Sequence, residues 1–205
     1  MTTFIIIGIT VAASVTCFSN RHLFAKYSLS PYRVVHFKDS YQVLTHLFVH
    51  AGWAHLAFNM LTLFFFGTLV ERVFSCSFGT SKGVVLFLIL YAGGGIVSSI
   101  YSIVKHKNDS RYSAVGASGA VSSILFSFIL LEPTRSLYMF MLPVPIPSVI
   151  FGILFLAASL YMARRGNDNI AHDAHFTGAI FGFAFTVLCE PLFFSRFIDK
   201  IYNWF

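Results

Sequence analysis

The chain has 205 residues, of which 57% are hydrophobic, 18% aromatic and only 11% charged, with a mean hydropathy of +0.75. Soluble domains carry about 25% charged residues, so this chain lacks the polar surface to cover itself, and lipid must be most of its solvent. Its formal charge of +6 comes from Lys and Arg spaced singly through the loops. That pattern suits membrane lipid headgroups and argues against nucleic acid, which asks for a basic stripe interleaved with aromatics.

A bilayer core about 30 Å thick needs about 20 apolar residues per helix. Six stretches qualify, roughly 3–18, 54–70, 83–104, 114–131, 146–163 and 174–194. They predict an all-α membrane protein, a bundle of six transmembrane helices forming a single domain over residues 1–205, because lipid offers no partner for an unpaired N–H or C=O. The first stretch has no Lys or Arg before its apolar run and no clear cleavage site after it, so it reads as a retained helix and not a signal peptide. The connection 19–53 is too mixed in polarity to span, and its amphipathic run Tyr41–Val49 suits the membrane interface.

Further along, the alternating prolines of Leu142–Pro147 forbid regular helix. The fifth span is therefore expected to start after Pro147, with a mobile approach to it. Arg164–Asn169 is polar and contains Gly166, a loop before the sixth span. Cys17, Cys76 and Cys189 are too far apart for a disulfide framework or a metal knuckle and read as small packing residues. With the N-terminus inside, the outer connections hold Arg21, Lys26, Arg33, Lys38, Lys105, Lys107, Arg111, Arg164 and Arg165, and the inner ones Arg72, Lys82, Arg135, Arg196 and Lys200. The positive-inside rule alone therefore favours the N-terminus outside.

Three polar groups interrupt the apolar spans, and ionisable groups inside a membrane point to function. Gly116-Ala117-Ser118-Gly119-Ala120 opens the fourth span. Its glycines leave the serine oxygen open, and the first turn of a helix aims free N–H groups and partial positive charge at it. Its alternative reading is an ordinary small-residue helix contact. In the sixth span His175, Gly178 and Gly182 share one face. Glycines let a neighbouring helix come close, and if that neighbour is the fourth span, His175 meets Ser118, a base near neutral pH beside a hydroxyl. A satisfied interface histidine is the alternative. In the second span His55 and Asn59 stand one turn apart, able to donate to a developing oxyanion or to join two helices by a hydrogen bond.

Taken in order, H-x-x-x-N (His55, Asn59), G-x-S-G (Gly116, Ser118, Gly119) and A-H-x-x-G-x-x-x-G (His175, Gly178, Gly182) resemble the rhomboid intramembrane serine proteases over about Tyr41 to Leu188. Gly67, Glu71 and Arg72 match the family's G-x-x-x-E-R. The resemblance implies Ser118 as nucleophile, His175 as general base, and an oxyanion hole of His55, Asn59 and the Ser118 N–H. It also implies a water-filled cavity, transmembrane protein substrates, no cofactor and no metal, and an N-terminus on the cytoplasmic side, against the charge count. A compact six-span form without soluble extensions is expected in a bacterial inner membrane, and no feature specifies an oligomer. The Pro143–Pro147 approach and the fifth span are the expected entry gate for substrate. Two positions depart from the family pattern: Tyr41-Gln42 replaces a Trp-Arg pair, and Ser122 replaces a tyrosine that stacks on the catalytic histidine. Two other classes compete with protease. One is a binding protein for transmembrane helices; the other is a zinc site using His46, His50 and His55 with His172 and His175, for which no acidic pair or Cys ligand completes the set.

Overall fold

The computed structural model describes residues 1–139, 142–165 and 172–204. The chain opens with α1 (Thr2–Ser19) and passes through three short helices, α2 (Arg21–Tyr27), α3 (Pro31–His36) and α4 (Gln42–Thr45). Then follow α5 (Trp53–Thr62), α6 (Thr68–Phe78), α7 (Thr80–His106) and α8 (Ser118–Leu131). Strands β1 (Ser136–Met139) and β2 (Leu142–Pro147) precede α9 (Ser148–Arg165), α10 (His172–Cys189) and α11 (Leu192–Tyr202).

Among the described residues, three helical stretches are long and apolar enough to cross a membrane: Thr2–Ser19, Trp53–Phe78 and Thr80–His106. The second joins α5 to α6 through a wide π turn at Leu63–Gly67, so it runs on to Phe78, beyond the end at 70 expected from composition. A fourth span results if α10 and α11, bent by 111° about Glu190-Pro191, count as one. The bend has a local cause: proline disfavours helix in the residue before it, and α10 accordingly stops at Cys189, short of the expected 194. Helix α8 and Ser148–Tyr161 of α9 are shorter apolar helices. Phe4, Ile5, Ile9, Phe58, Phe65, Leu88, Ile89, Ile96, Ile153 and Leu154 are exposed on the outer faces of these helices. Apolar surface on that scale needs an apolar solvent, and the chain is an integral membrane protein.

Helix α8 is the hub. Every residue from Gly119 to Leu131 is buried, as expected of a helix apolar all round and enclosed by others. Helices α7 and α10 flank it, and Phe66 of the π turn lies against its Phe128, ring centroids 4.8 Å apart. The carboxylate of Glu71 crosses from α6 to the free N-terminus of α1, accepting the N–H groups of Thr2 (2.5 Å) and Thr3 (2.9 Å) and the Thr3 hydroxyl (2.6 Å). Three donors on one carboxylate close a helix end that has no side-chain cap of its own.

An element absent from the sequence reading is the antiparallel ribbon of β1 and β2, with Ser136 opposite Pro147 and Leu137 opposite Ile146. A two-stranded ribbon needs donors from only one edge of each strand, so prolines at alternate positions are tolerated. Just beyond it, the Ser148 N–H donates to Arg135 O and the Val149 N–H to Pro133 O, both at 2.9 Å, and the Ser148 hydroxyl donates to Glu132 O. The approach to α9 is thus tied to the end of α8 by hydrogen bonds. The expected loop 164–169 extends beyond the described residues.

Candidate active site

Helix α8 begins at Ser118 itself, four residues later than the apolar run begins, because Gly116 turns the chain with φ +111° and Ala117 leaves helical geometry. Only glycine fits at 116: a Cβ there would lie 2.5 Å from Cε1 and 2.7 Å from Nε2 of His55. Serine in the first helical position has its own N–H unused by the helix. Its hydroxyl opens on a cavity of about 30 Å3, room for about two waters, lined by His46, Ser98, Ser99, Ser102 and Ala174 among others. Among the described residues the Ser118 hydroxyl makes no hydrogen bond.

What holds the turn before Ser118 is the first connection. Leu29 and Ala114 exchange two backbone hydrogen bonds at 2.9 Å, and the Gly116 N–H donates to His46 O at 3.0 Å. The Ala117 N–H lies 3.5 Å from His50 Nε2. His50 is fully buried, and its tautomer follows from its partners. The Ser14 hydroxyl donates to the Phe48 carbonyl (2.9 Å), so the His50 Nδ1–H donates to Ser14 Oγ (2.9 Å) and Nε2 is the acceptor for Ala117. Burial, with the His55 ring nearby as a lesser cause, pushes the His50 pKa down to about 3. Burial likewise takes His46 down to about 4, against the opposing pull of backbone acceptors at Gln42 and Val43. His46 is bonded through Nδ1 to Gln42 O (2.8 Å) and through Nε2 to Ser99 Oγ (3.2 Å). Both rings are neutral struts with their nitrogens engaged.

The run Tyr41–Val49 is accordingly not an interfacial helix. Tyr41 and Leu44 face outward, but Gln42, His46, Leu47 and Val49 are buried against the bundle. Gln42, in the place of the family's arginine, accepts the Ser30 N–H (3.0 Å) and donates to Lys26 O (3.1 Å), closing the loop on itself.

The sixth-span stripe meets the fourth span, the neighbour that its spacing had left open. A Cβ on Gly178 would collide with the Gly119 carbonyl, and one on Gly182 with Ser123 O. Farther down, the hydroxyl oxygens of Thr186 and Ser127 lie 2.8 Å apart. A Cβ on Gly119 would meet Ser98 and lie 3.5 Å from Ala174 O, so the residues beside Ser118 and beside His175 touch. The His175 ring carries support the sequence did not reveal. Its Nδ1 lies 3.4 Å from Ser159 Oγ, and the Phe155 ring stands 5.5 Å away, tilted 32°. Both come from α9, where Ser122 on α8 had left the family's stacking position empty of an aromatic. A direct Ser118–His175 hydrogen bond is absent among the described residues; such bonds are often long in substrate-free enzymes and tighten when substrate binds. The third group is split. The His55 ring, edge-on to His50 with centroids 4.9 Å apart, sits against Gly116. The Asn59 amide donates to His55 O of its own helix at 3.0 Å.

The assembly defines a class first: a polytopic helical membrane protein in which a serine at a helix start lines a small cavity, beside a helix start that carries a histidine. The Rhomboid domain family profile matches residues 38–191, and the chain belongs to the rhomboid family. It is 31% identical over 155 residues to the Putative rhomboid protease YdcA of Bacillus subtilis, covering 73% of this chain and 67% of that one. To the Rhomboid protease GluP of the same organism it is 33% identical over 143 residues, 70% of this chain and 25% of that one. To RHOMBOID-like protein 12, mitochondrial, of Arabidopsis thaliana it is 30% identical over 152 residues, 67% and 43%. The chain thus spans between a quarter and two thirds of the length of these relatives. They include bacterial and mitochondrial proteins, so the likeness gives family and membrane, not compartment.

Proposed function

We propose that the chain is an intramembrane serine endopeptidase acting on peptide bonds in or near the transmembrane segments of membrane-protein substrates. Ser118 attacks the scissile carbonyl, His175 takes its proton and passes it to the leaving amine, and a water from the serine-lined cavity then releases the acyl group. The Ser118 N–H, His55 and Asn59 receive the oxyanion, Asn59 after its amide leaves His55 O. In this reading the bundle counts six spans in one domain, with α8 and α9 short and α11 folded back at the inner end. The N-terminus lies in the cytoplasm of a bacterial cell, and α9 is the side through which substrate enters.

The observation that carries the proposal is the glycine seam between α8 and α10. It sets the starts of two helices in backbone contact with Ser118 on one and His175 on the other, a closeness that ordinary packing residues at those two positions would not require. Cleavage of a one-span test substrate by the purified protein in detergent is the experiment. Ser118→Ala and His175→Ala should each lose activity by about a thousandfold or more. Cleavage missing from the wild type as well would leave a protein that binds transmembrane helices without cutting them, and cleavage that survives both substitutions would take the chemistry away from Ser118 and His175. Crosslinking α9 to α5 should stop cleavage of the membrane substrate if α9 is the gate.

A further inference from the structure

The His175 ring is flanked by two side chains of α9, and they stand one helical turn apart. Phe155 covers a face of the imidazole, and Ser159, only 4% exposed, reaches Nδ1. A hydroxyl inside an apolar helix ordinarily satisfies itself on the carbonyl four residues back. Thr10, Thr16, Thr62, Ser98, Ser99 and Thr186 of this chain all do so. Ser159 does not: among the described residues its hydrogen bond runs across to α10.

We propose that Ser159 is the positioning residue of the base, its hydroxyl held against His175 Nδ1 so that the ring keeps its Nε2 edge turned toward Ser118. The inference rests on the dyad reading above. A neutral imidazole serves as base only in one tautomer, and the group on the far nitrogen chooses which. Soluble serine proteases give that post to a buried carboxylate, a costly charge at this depth of a membrane. A hydroxyl, able to donate or accept, holds the ring from the same side without a net charge. Two constraints are then met from one helix: Phe155 fixes the ring plane, and Ser159 fixes its rotation.

The test uses the full chain in detergent with the one-span substrate and compares Ser159→Thr with Ser159→Val, which share a shape and differ in the hydroxyl. Valine should lower kcat about 3- to 10-fold with KM unchanged, as expected for one lost hydrogen bond, while threonine stays within about twofold of wild type. In a Ser118→Ala background, 15N signals of the imidazole should keep one set of positions when position 159 holds serine or threonine and shift when it holds valine. Equal activity of the two variants, or equal impairment, overturns the proposal, as does an unchanged imidazole spectrum. Those failures leave the dyad standing so long as Ser118→Ala and His175→Ala remain dead; if they too still cleave, the dyad falls and this inference with it.

Discussion

Ser118 sits between two regions built on opposite principles. Below it, the seam of α8 with α10 is nearly side-chain-free: Gly178 and Gly182 lay one helix on the backbone carbonyls of the other. Above it, the turn 114–117 hangs from a cradle of polar contacts with the first connection: Leu29, His46 O and His50 Nε2. The seam fixes where two helices run by leaving no room for anything else, and it tolerates no added atom. The cradle fixes where a turn sits by hydrogen bonds, which can be lost one at a time and depend on protonation. A membrane enzyme can rely on the first device in lipid, where burial of apolar surface offers no drive for helix association, and needs the second where the chain meets water.

Three experiments bear on that contrast. The largest effect should come from Gly182→Leu, which drives a side chain into the Ser123 backbone. A loss of about 3 kcal/mol or more, beyond ordinary overpacking, is expected in denaturation from detergent, and a wild-type unfolding curve would show that the seam is not tight. His50→Ala should cost about 1–3 kcal/mol by stranding the Ala117 N–H and Ser14. Its activity should fall further than that of a surface control; activity equal to wild type would mean the cradle does not place Ser118.

The gentlest probe is pH. His46 and His50 are held neutral when folded, with pKa values near 4 and 3, and titrate near 6.5 when unfolded. Between those limits the unfolded chain binds the protons and the folded one does not. Stability is therefore full above about pH 6.5 and declines as pH falls toward 4 and then 3. Melting temperatures across that window should fall with acid, less steeply in His50→Gln. Equal slopes would remove His50 from the account.

What could be read from the sequence follows how local the cause is. The stripe of His175, Gly178 and Gly182 is a property of helix periodicity, whereas the helix it packs on was left open and is α8. The six apolar runs are visible, yet their ends shift because a glycine at 116, a π turn at 63–67 and a proline at 191 act on the backbone and not on hydropathy. Gln42, His50 and Ser159 escaped because their partners lie 12 to 67 residues away. The spacing of His46, His50 and His55 was the available signal; a metal was one way to explain it, and struts to a neighbouring loop are another. The prolines of 143–147 spoke against helix but not for a strand, since a ribbon needs the partner 136–139 to be recognised.

That ribbon makes α9 a lever with its fulcrum at the end of α8. Ser148 and Val149 are pinned to the end of α8, and Ser159 stands eleven residues up the arm, about 16 Å at helical rise. A tilt of about ten degrees about the pin displaces Ser159 by about 3 Å, enough to part it from His175. The same tilt barely disturbs the ribbon. If substrate is admitted past α9 as proposed, admission and loosening of His175 are one movement, and the ring is fully held only once α9 has swung back.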